Sequence, residues 1–391
     1  MPSAPSTAVP SAAAAPTMDL ATWMRDLDVL HHPFYRLRVP GTHNSATSVV
    51  HGFDPLASPL RPYVALLYAF PFVPVIISLW TRCQALGVRQ QLEAGVRFLD
   101  LRVAVKDGEA YVAHTMRGPP LAGVLDEIAD FYEAHGTTEV CVVSVKRDSE
   151  NEAAFQDPEI RRVVRRTISD HRVARFLSTV PNPLRAPLRD HHDRPLVLLL
   201  ERVLWEPDGP GYEAPYFFNE WFDVSDPAEL RERVAAALPA VGESRQTMAV
   251  LQNILTPGQD EVVSAVLLYV ALVLSALAIV GACIAGAVVG PRAAAAHPAT
   301  WICVAIPLVA LAAVWLGLRP APSLLAASHP ANADFTRDVV DAKKSFNVVT
   351  VDGITPAFAR GVVNLNEALN NHAPPSDASS SSIDGLDDVP I

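Results

Sequence analysis

Eight short runs rich in β-branched and other apolar residues recur along the chain, at 36–39, 97–104, 110–114, 139–146, 195–202, 216–221, 247–254 and 347–352. Between several of them the apolar residues return at helical spacing, and 121–134 and 228–238 read as amphipathic helices. Strands that alternate with helices bury a parallel sheet beneath a helical layer, and eight such units make a (β/α)8 barrel. The expected class is therefore α/β, a distorted (β/α)8 TIM-type barrel. Such an architecture gathers its chemistry at the C-terminal ends of the strands. His43, Arg102, His114, Lys146, Arg202, Glu220 and Asp352 all fall at or just beyond those ends.

Two of these side chains, His43 and His114, are imidazoles, and with the guanidinium of Arg102 they make a set suited to cleaving a phosphodiester. One ring can take a proton from the nucleophile, the other can give one to the leaving group, and the arginine can hold the anionic phosphate. Around His43 the sequence is Val39-Pro40-Gly41-Thr42-His43-Asn44-Ser45. Gly41 lets the backbone approach closely, and Thr42, Asn44 and Ser45 offer short polar groups to a ring tautomer or a phosphate. Asp100 and Arg102 lie two apart on one strand and so share a face. Burying both on an inward face without a use would be costly.

Half of the residues are apolar and only 19% are charged, which points to membrane contact. The net charge of -11 argues against nucleic acid as a partner, and equally against a polybasic patch as the route to anionic lipid. Cys83, Cys141, Cys283 and Cys303 show no CxxC spacing, so neither a disulfide nor a zinc framework is expected. Residues 1–18, rich in Pro, Ala and Ser without a basic start, read as a disordered leader, and 373–391 as a disordered tail. Residues 262–289 carry no charge and would reach about 42 Å as a helix, against a hydrocarbon core of about 30 Å. A second apolar run at 301–318 follows after a short connection. The pair, 262–318, reads as a transmembrane helical hairpin inserted into the barrel, whose two parts, 19–261 and 319–372, then lie on one side of the membrane. The expected placement is a two-span membrane protein, and unpaired cysteines favour a cytosolic catalytic domain. Residues 63–80 form a third apolar stretch, broken by Pro71 and Pro74, and read as a membrane-facing interfacial segment.

Several blocks together carry a family resemblance. Pro40-Gly41-Thr42-His43-Asn44-Ser45, the stretch from Gly95 to Asp100-Leu101-Arg102, the strand ending in His114, and Val143-Ser144-Val145-Lys146 resemble the X domain of phosphatidylinositol-specific phospholipases C. The stretch from Pro62-Tyr63 through Trp80-Thr81-Arg82-Cys83-Gln84 to Arg89-Gln90-Gln91-Leu92 is similar more narrowly to the trypanosome-type glycosylphosphatidylinositol phospholipase C. The resemblance implies His43 as the base that deprotonates the inositol 2-hydroxyl and His114 as the acid that protonates the diacylglycerol oxygen. It implies Arg102 as the phosphoryl clamp, Asp352 as the carboxylate that orients the base, and Asp100 and Asn44 as supports. Lys146, Arg202, Glu220 and Phe222 map to headgroup-binding positions. The calcium-dependent branch of the family has acidic ligands where this chain has Arg102 and Lys146, so no metal and no other cofactor is expected, and Ca2+ least of all. The implied partners are a phosphatidylinositol or glycosylphosphatidylinositol lipid and the membrane that holds it.

Two rival readings carry different consequences. A glycerophosphodiesterase-like enzyme also uses a barrel and an early histidine, but needs a divalent metal and a His-Arg-Gly motif that this chain lacks. A catalytically silent X-domain protein that only binds inositol lipid would tolerate substitution of His43.

Overall fold

The computed structural model describes residues 18–55, 73–148, 155–214, 218–243, 248–256, 273, 275–277, 280–281, 284, 323–344 and 346–369. Its eleven strands are β1 (Val39–Thr42), β2 (His51–Pro55), β3 (Phe98–Lys106), β4 (Glu109–His114), β5 (Met116–Pro120), β6 (Cys141–Arg147), β7 (Leu196–Leu200), β8 (Tyr212–Glu213), β9 (Phe218–Glu220), β10 (Ala249–Asn253) and β11 (Val348–Val351). Eight of them pair in parallel, in the order β9, β10, β11, β1, β3, β6, β7, β8. The last strand of the chain therefore lies beside the first. β8 and β9 are the edges, and no pairing joins them among the described residues. The sheet is an open, curved barrel wall.

Side chains alternate between the two faces of a strand. Leu99, Leu101 and Val103 of β3, Val143 and Val145 of β6, and Val349 and Val351 of β11 enter one core with the helices Leu121–His135 and Pro356–Asn364. Val39, Phe98, Val142, Val197, Leu199, Val250 and Val348 enter a second cluster on the inner face. Following that inner face toward the strand ends, the apolar layer gives way to polar residues: Phe98 to Asp100 and Arg102, Val142 to Ser144 and Lys146, Val348 to Thr350 and Asp352. Gly41 sits at the change of layer. A Cβ there would come within 3.0 Å of Thr350 and 3.2 Å of Phe98, so any larger residue would require these neighbours to shift by a few tenths of an ångström.

The strand expected at 110–114 is present as β4 but is not part of the parallel wall. It pairs antiparallel with β3 and β5, and β5 pairs with β2, so these three strands form an arm on the end of the long β3. The strand that completes the set of eight is the short β8, which pairs with the end of β7. Gly211 precedes it at φ 77°, with a Cβ position only 2.6 Å from the Leu198 carbonyl, so a side chain would push β8 away from β7.

The inserted transmembrane hairpin, and with it the two-span placement and a catalytic domain assigned to the cytosolic face, is corrected. Among the described residues no helix is long and apolar enough to cross a membrane. The apolar helix Val73–Thr81 has 9 residues, about 14 Å at ~1.5 Å per residue, under half of a hydrocarbon core of about 30 Å. The longer Pro227–Glu243 carries Glu229, Arg231, Glu232 and Arg233 in its first two turns and leaves only nine uncharged residues before Glu243. Of the hairpin itself, 262–318, nearly all lies outside the described residues, as do most of the leader at 1–18, residues 63–72 of the interfacial segment and the tail at 373–391.

Candidate active site

β1 ends in a tight polar turn that fixes His43. Asn44 takes φ 43°, the left-handed region that asparagine tolerates better than most residues. Ser45 receives the Asp100 amide on its hydroxyl at 2.8 Å and donates its own amide to the Asp100 carbonyl, also at 2.8 Å, which ties the turn to β3. The Gln84 side chain donates to the His43 carbonyl at 2.9 Å and to the Val351 carbonyl at 2.8 Å, and accepts the Ile354 amide. One buried carboxamide thus clamps the ends of β1 and β11, the two strands that carry His43 and Asp352.

His43 and Asp352 are both buried, and Nδ1 of the ring lies 2.9 Å from Oδ1 of the carboxylate. Asn332 donates to the Asp352 carbonyl at 2.8 Å, and Asp352 Oδ2 has no hydrogen-bond partner among the described residues. With Nδ1–H given to the carboxylate, Nε2 of His43 carries the lone pair; Asn44 Nδ2 stands 3.0 Å from it and Arg102 Nη2 3.4 Å. Burial alone would depress this imidazole. The Asp352 charge and hydrogen bond, with a further contribution from Cys83, outweigh burial and raise it to about 8.

His114 ends β4 and faces the same space, its ring centroid 6.1 Å from that of His43 and the planes inclined at 72°. Its Nδ1 lies 2.9 Å from the Thr81 carbonyl, at the end of the helix Val73–Thr81, and 3.4 Å from Cys83 Sγ. That leaves Nε2 to carry a transferable proton. Burial lowers the pKa of His114, the Thr81 carbonyl opposes the shift, and the Arg102 charge adds to the lowering. The two histidines are therefore displaced in opposite directions.

Arg102 and Lys146 stand side by side in the β3–β6 register. Lys146 Nζ is 3.1 Å from Asp100 Oδ1, and Arg102 Nε is 3.9 Å from Asp100 Oδ2. Burial would raise the Asp100 carboxyl, but the Lys146 and Arg102 charges overcome it and hold the group well below the usual carboxylate range. The Arg102 guanidinium also lies over Trp221, 5.7 Å from the ring centroid, and Trp221 meets His43 edge-on at 5.3 Å.

Seven sequence-identified residues thus converge: His43, Asn44, Asp100, Arg102, His114, Lys146 and Asp352. Three do not. Arg202 is exposed and pairs with Glu213 at 3.8 Å. Phe222 rests against the helix-facing core. Glu220 ends β9 opposite Leu251, and its side chain lies outside the described residues. The aromatic ring at the site is Trp221, which the strand period places on the face opposite Phe222. Sequence reasoning also missed Cys83, Gln84 and the Thr81 carbonyl. Cys83 Sγ lies 3.5 Å from Asn44 Nδ2 as well as 3.4 Å from His114, and burial, reinforced by the Asp352 charge, raises its thiol pKa. No periodicity marks such residues, because they sit in an irregular segment that only folding brings beneath the histidines.

No protein-family profile matches the chain. One segment is 40% identical over 101 residues to the variant-surface-glycoprotein phospholipase C of Trypanosoma brucei brucei, covering 23% of this chain and 28% of that protein. Another is 33% identical over 124 residues to PI-PLC X domain-containing protein 3 of Danio rerio, covering 29% and 38%. A third is 34% identical over 141 residues to PI-PLC X domain-containing protein 1 of Mus musculus, covering 34% and 41%. The matched segments thus span well under half of these relatives. Among solved structures, the chain is similar to the phosphatidylinositol-specific phospholipase C from Listeria monocytogenes, with a TM-score of 0.53 and 13% identity over 89% of this chain and 99% of that one. For a Staphylococcus aureus phosphatidylinositol-specific phospholipase C the TM-score is 0.55 and the identity 14%, over 89% and 97%. The fold is that of the bacterial phospholipases. The motif resemblance to X domains, including the trypanosome type, therefore stands.

Proposed function

We propose that this chain is a metal-independent phospholipase C that cleaves phosphatidylinositol, or its glycosylated form, by attack of the inositol 2-hydroxyl on phosphorus. His43 Nε2 takes the hydroxyl proton while the oxygen bonds to phosphorus. The bond from phosphorus to the glycerol oxygen breaks, and His114 gives that oxygen its proton. The products are diacylglycerol and inositol 1,2-cyclic phosphate. Because the nucleophile belongs to the substrate, proximity supplies much of the rate without a bound water. Arg102 holds the phosphoryl oxygens, Asp352 orients and charges the base, and Asp100 sets Arg102 and Lys146. Trp221 forms a wall of the headgroup site.

The observation that carries this reading is the pair of imidazoles, His43 buried and His114 half-buried, with ring centroids 6.1 Å apart and a guanidinium beside them. Independence from calcium follows from donor chemistry: the carboxylate of Asp100 is engaged by Lys146 and Arg102, and Ca2+ requires several oxygen ligands free of such cations. A substrate with two acyl chains stays in its bilayer, so the enzyme works at a lipid surface. Val75 on the helix leading to Thr81, Val49 in the loop after His43 and Trp221 are exposed apolar residues suited to that contact.

Incubating the full chain with radiolabelled phosphatidylinositol and with a glycosylated anchor, with and without excess chelator, tests the proposal. Cyclic inositol phosphate released equally under both conditions is the expected result. Loss of activity in chelator would overturn the role given to Arg102, and binding without turnover would favour the silent X-domain reading.

A further inference from the structure

The ring of His43, the thiol of Cys83 and the carboxylate of Asp352 form a compact group of nitrogen, sulfur and oxygen donors. One ligand atom from each lies within 4.8 Å of the others, and all three residues are buried. This is close to the greatest separation that donors on one zinc ion can have, about twice a bond length of roughly 2.0–2.3 Å. The donor types are those of a zinc site and unlike those of a calcium site, which takes oxygen alone.

Two further observations set this group apart from a chance cluster. Asp352 Oδ2 is buried and has no hydrogen-bond partner among the described residues, which leaves an acceptor aimed into the cluster. His114 Nδ1 lies 3.4 Å from Cys83 Sγ, which brings a second imidazole to the edge of the same space. A thiol held between two imidazoles and a carboxylate is not required by any step of the proposed reaction.

We propose that His43, Cys83 and Asp352 form an inhibitory binding site for a thiophilic divalent cation of the zinc class, which shuts off the enzyme by occupying the general base. Bonds form from the metal to the His43 nitrogen, the Cys83 sulfur and an Asp352 oxygen. The thiol proton leaves to solvent, as does the second imidazole proton where His43 is charged, and no oxidation occurs. With the metal in place His43 cannot accept the 2-hydroxyl proton, and the carboxylate that orients it is withdrawn. The inhibitory consequence rests on the phospholipase reading above, whereas the binding chemistry does not.

The test titrates the metal-stripped full chain with Co2+, a spectroscopic substitute for zinc, and separately measures Zn2+ inhibition of turnover. Direct thiolate ligation produces a near-ultraviolet sulfur-to-cobalt charge-transfer band. It is expected in the native chain and in a Cys283→Ser/Cys303→Ser variant, and absent in Cys83→Ser and Cys83→Ala. Zinc affinity should fall at least ~100-fold in either Cys83 variant, since loss of even an outer partner costs about 10–100-fold. A circular dichroism spectrum matching the native one excludes misfolding as the cause. A band that persists in both Cys83 variants, or no band in the native chain, would overturn the proposal. A chain that binds Co2+ through Cys83 yet never cleaves inositol lipid would sink the phospholipase reading and leave the metal site standing. An active chain indifferent to zinc would do the reverse.

Discussion

The two histidine poles of the site are built from different parts of the fold. His43 follows β1 in the parallel wall and is held by Asp352 from the neighbouring β11, with Gln84 clamping both strand ends. His114 stands on the antiparallel arm and is held by a peptide carbonyl from the helix Val73–Thr81. Both rings are largely withdrawn from solvent, so burial pushes both toward the neutral form. A carboxylate partner reverses that push for His43; a carbonyl, with Arg102 opposing it, does not for His114. Two residues of one kind, a ring's width apart, are thereby given different proton affinities by their neighbours.

Removing each imidazole is the strongest way to break this comparison. His43→Ala and His114→Ala should each cost about 10²–10⁴-fold in turnover of phosphatidylinositol. Only His114→Ala should recover with a substrate whose leaving group needs no proton, such as a nitrophenyl ester of inositol phosphate. Equal rescue of both would show that the assignments of base and acid are wrong. Next in size, Arg102→Lys should lose about 10²–10³-fold in kcat, because an ammonium keeps the charge but not the planar fork that spans two phosphoryl oxygens. Unchanged kcat would remove Arg102 from the reacting phosphate.

The titration of the pair sharpens the comparison. The shifts favour the single shared proton on His43, so the productive form, with the proton on His114 and His43 neutral, is the minor arrangement of the singly protonated pair. Below the depressed His114 value both rings are charged and the base is lost; above about 8 both are neutral and the acid is lost. The kcat/KM profile should therefore be a bell with its alkaline limb near 8. Asp352→Asn removes what raises His43, and should move that limb to lower pH; a limb that stays in place would mean that Asp352 does not set the base. The smallest effect concerns the clamp. Gln84→Ala leaves the His43 and Val351 carbonyls and the Ile354 amide without this partner, and should cost about 1–3 kcal/mol in urea unfolding. Unaltered stability would show that solvent replaces the carboxamide there.

Much of the parallel wall was legible from pattern. β3, β6, β7, β10 and β11 lie within a residue or two of the runs that announce them, and the polar residues at their ends share one face because the strand period is two. The departures have separate causes. The run at 110–114 has the same local composition as a wall strand, and only its two-residue turn at Asp107–Gly108, which reverses the chain after β3, sends it into the arm. β8 has only two residues, Tyr212–Glu213, too few to show any period. The apolar run 262–289 satisfies a length criterion for a membrane span, but nearly all of it lies outside the described residues, among which no helix is long and apolar enough to cross a membrane.

The sequence by itself determined the α/β class, the strand ends and most of the charged and imidazole groups, because periodicity and turn chemistry act over a few residues. Tertiary structure alone decided which strand pairs with which, that Trp221 and not Phe222 faces the histidines, and that Cys83 and Gln84 lie beneath them. It also set the opposite proton affinities of His43 and His114. Those outcomes depend on distances between residues hundreds of positions apart, and electrostatic and hydrogen-bond energies are functions of distance in space.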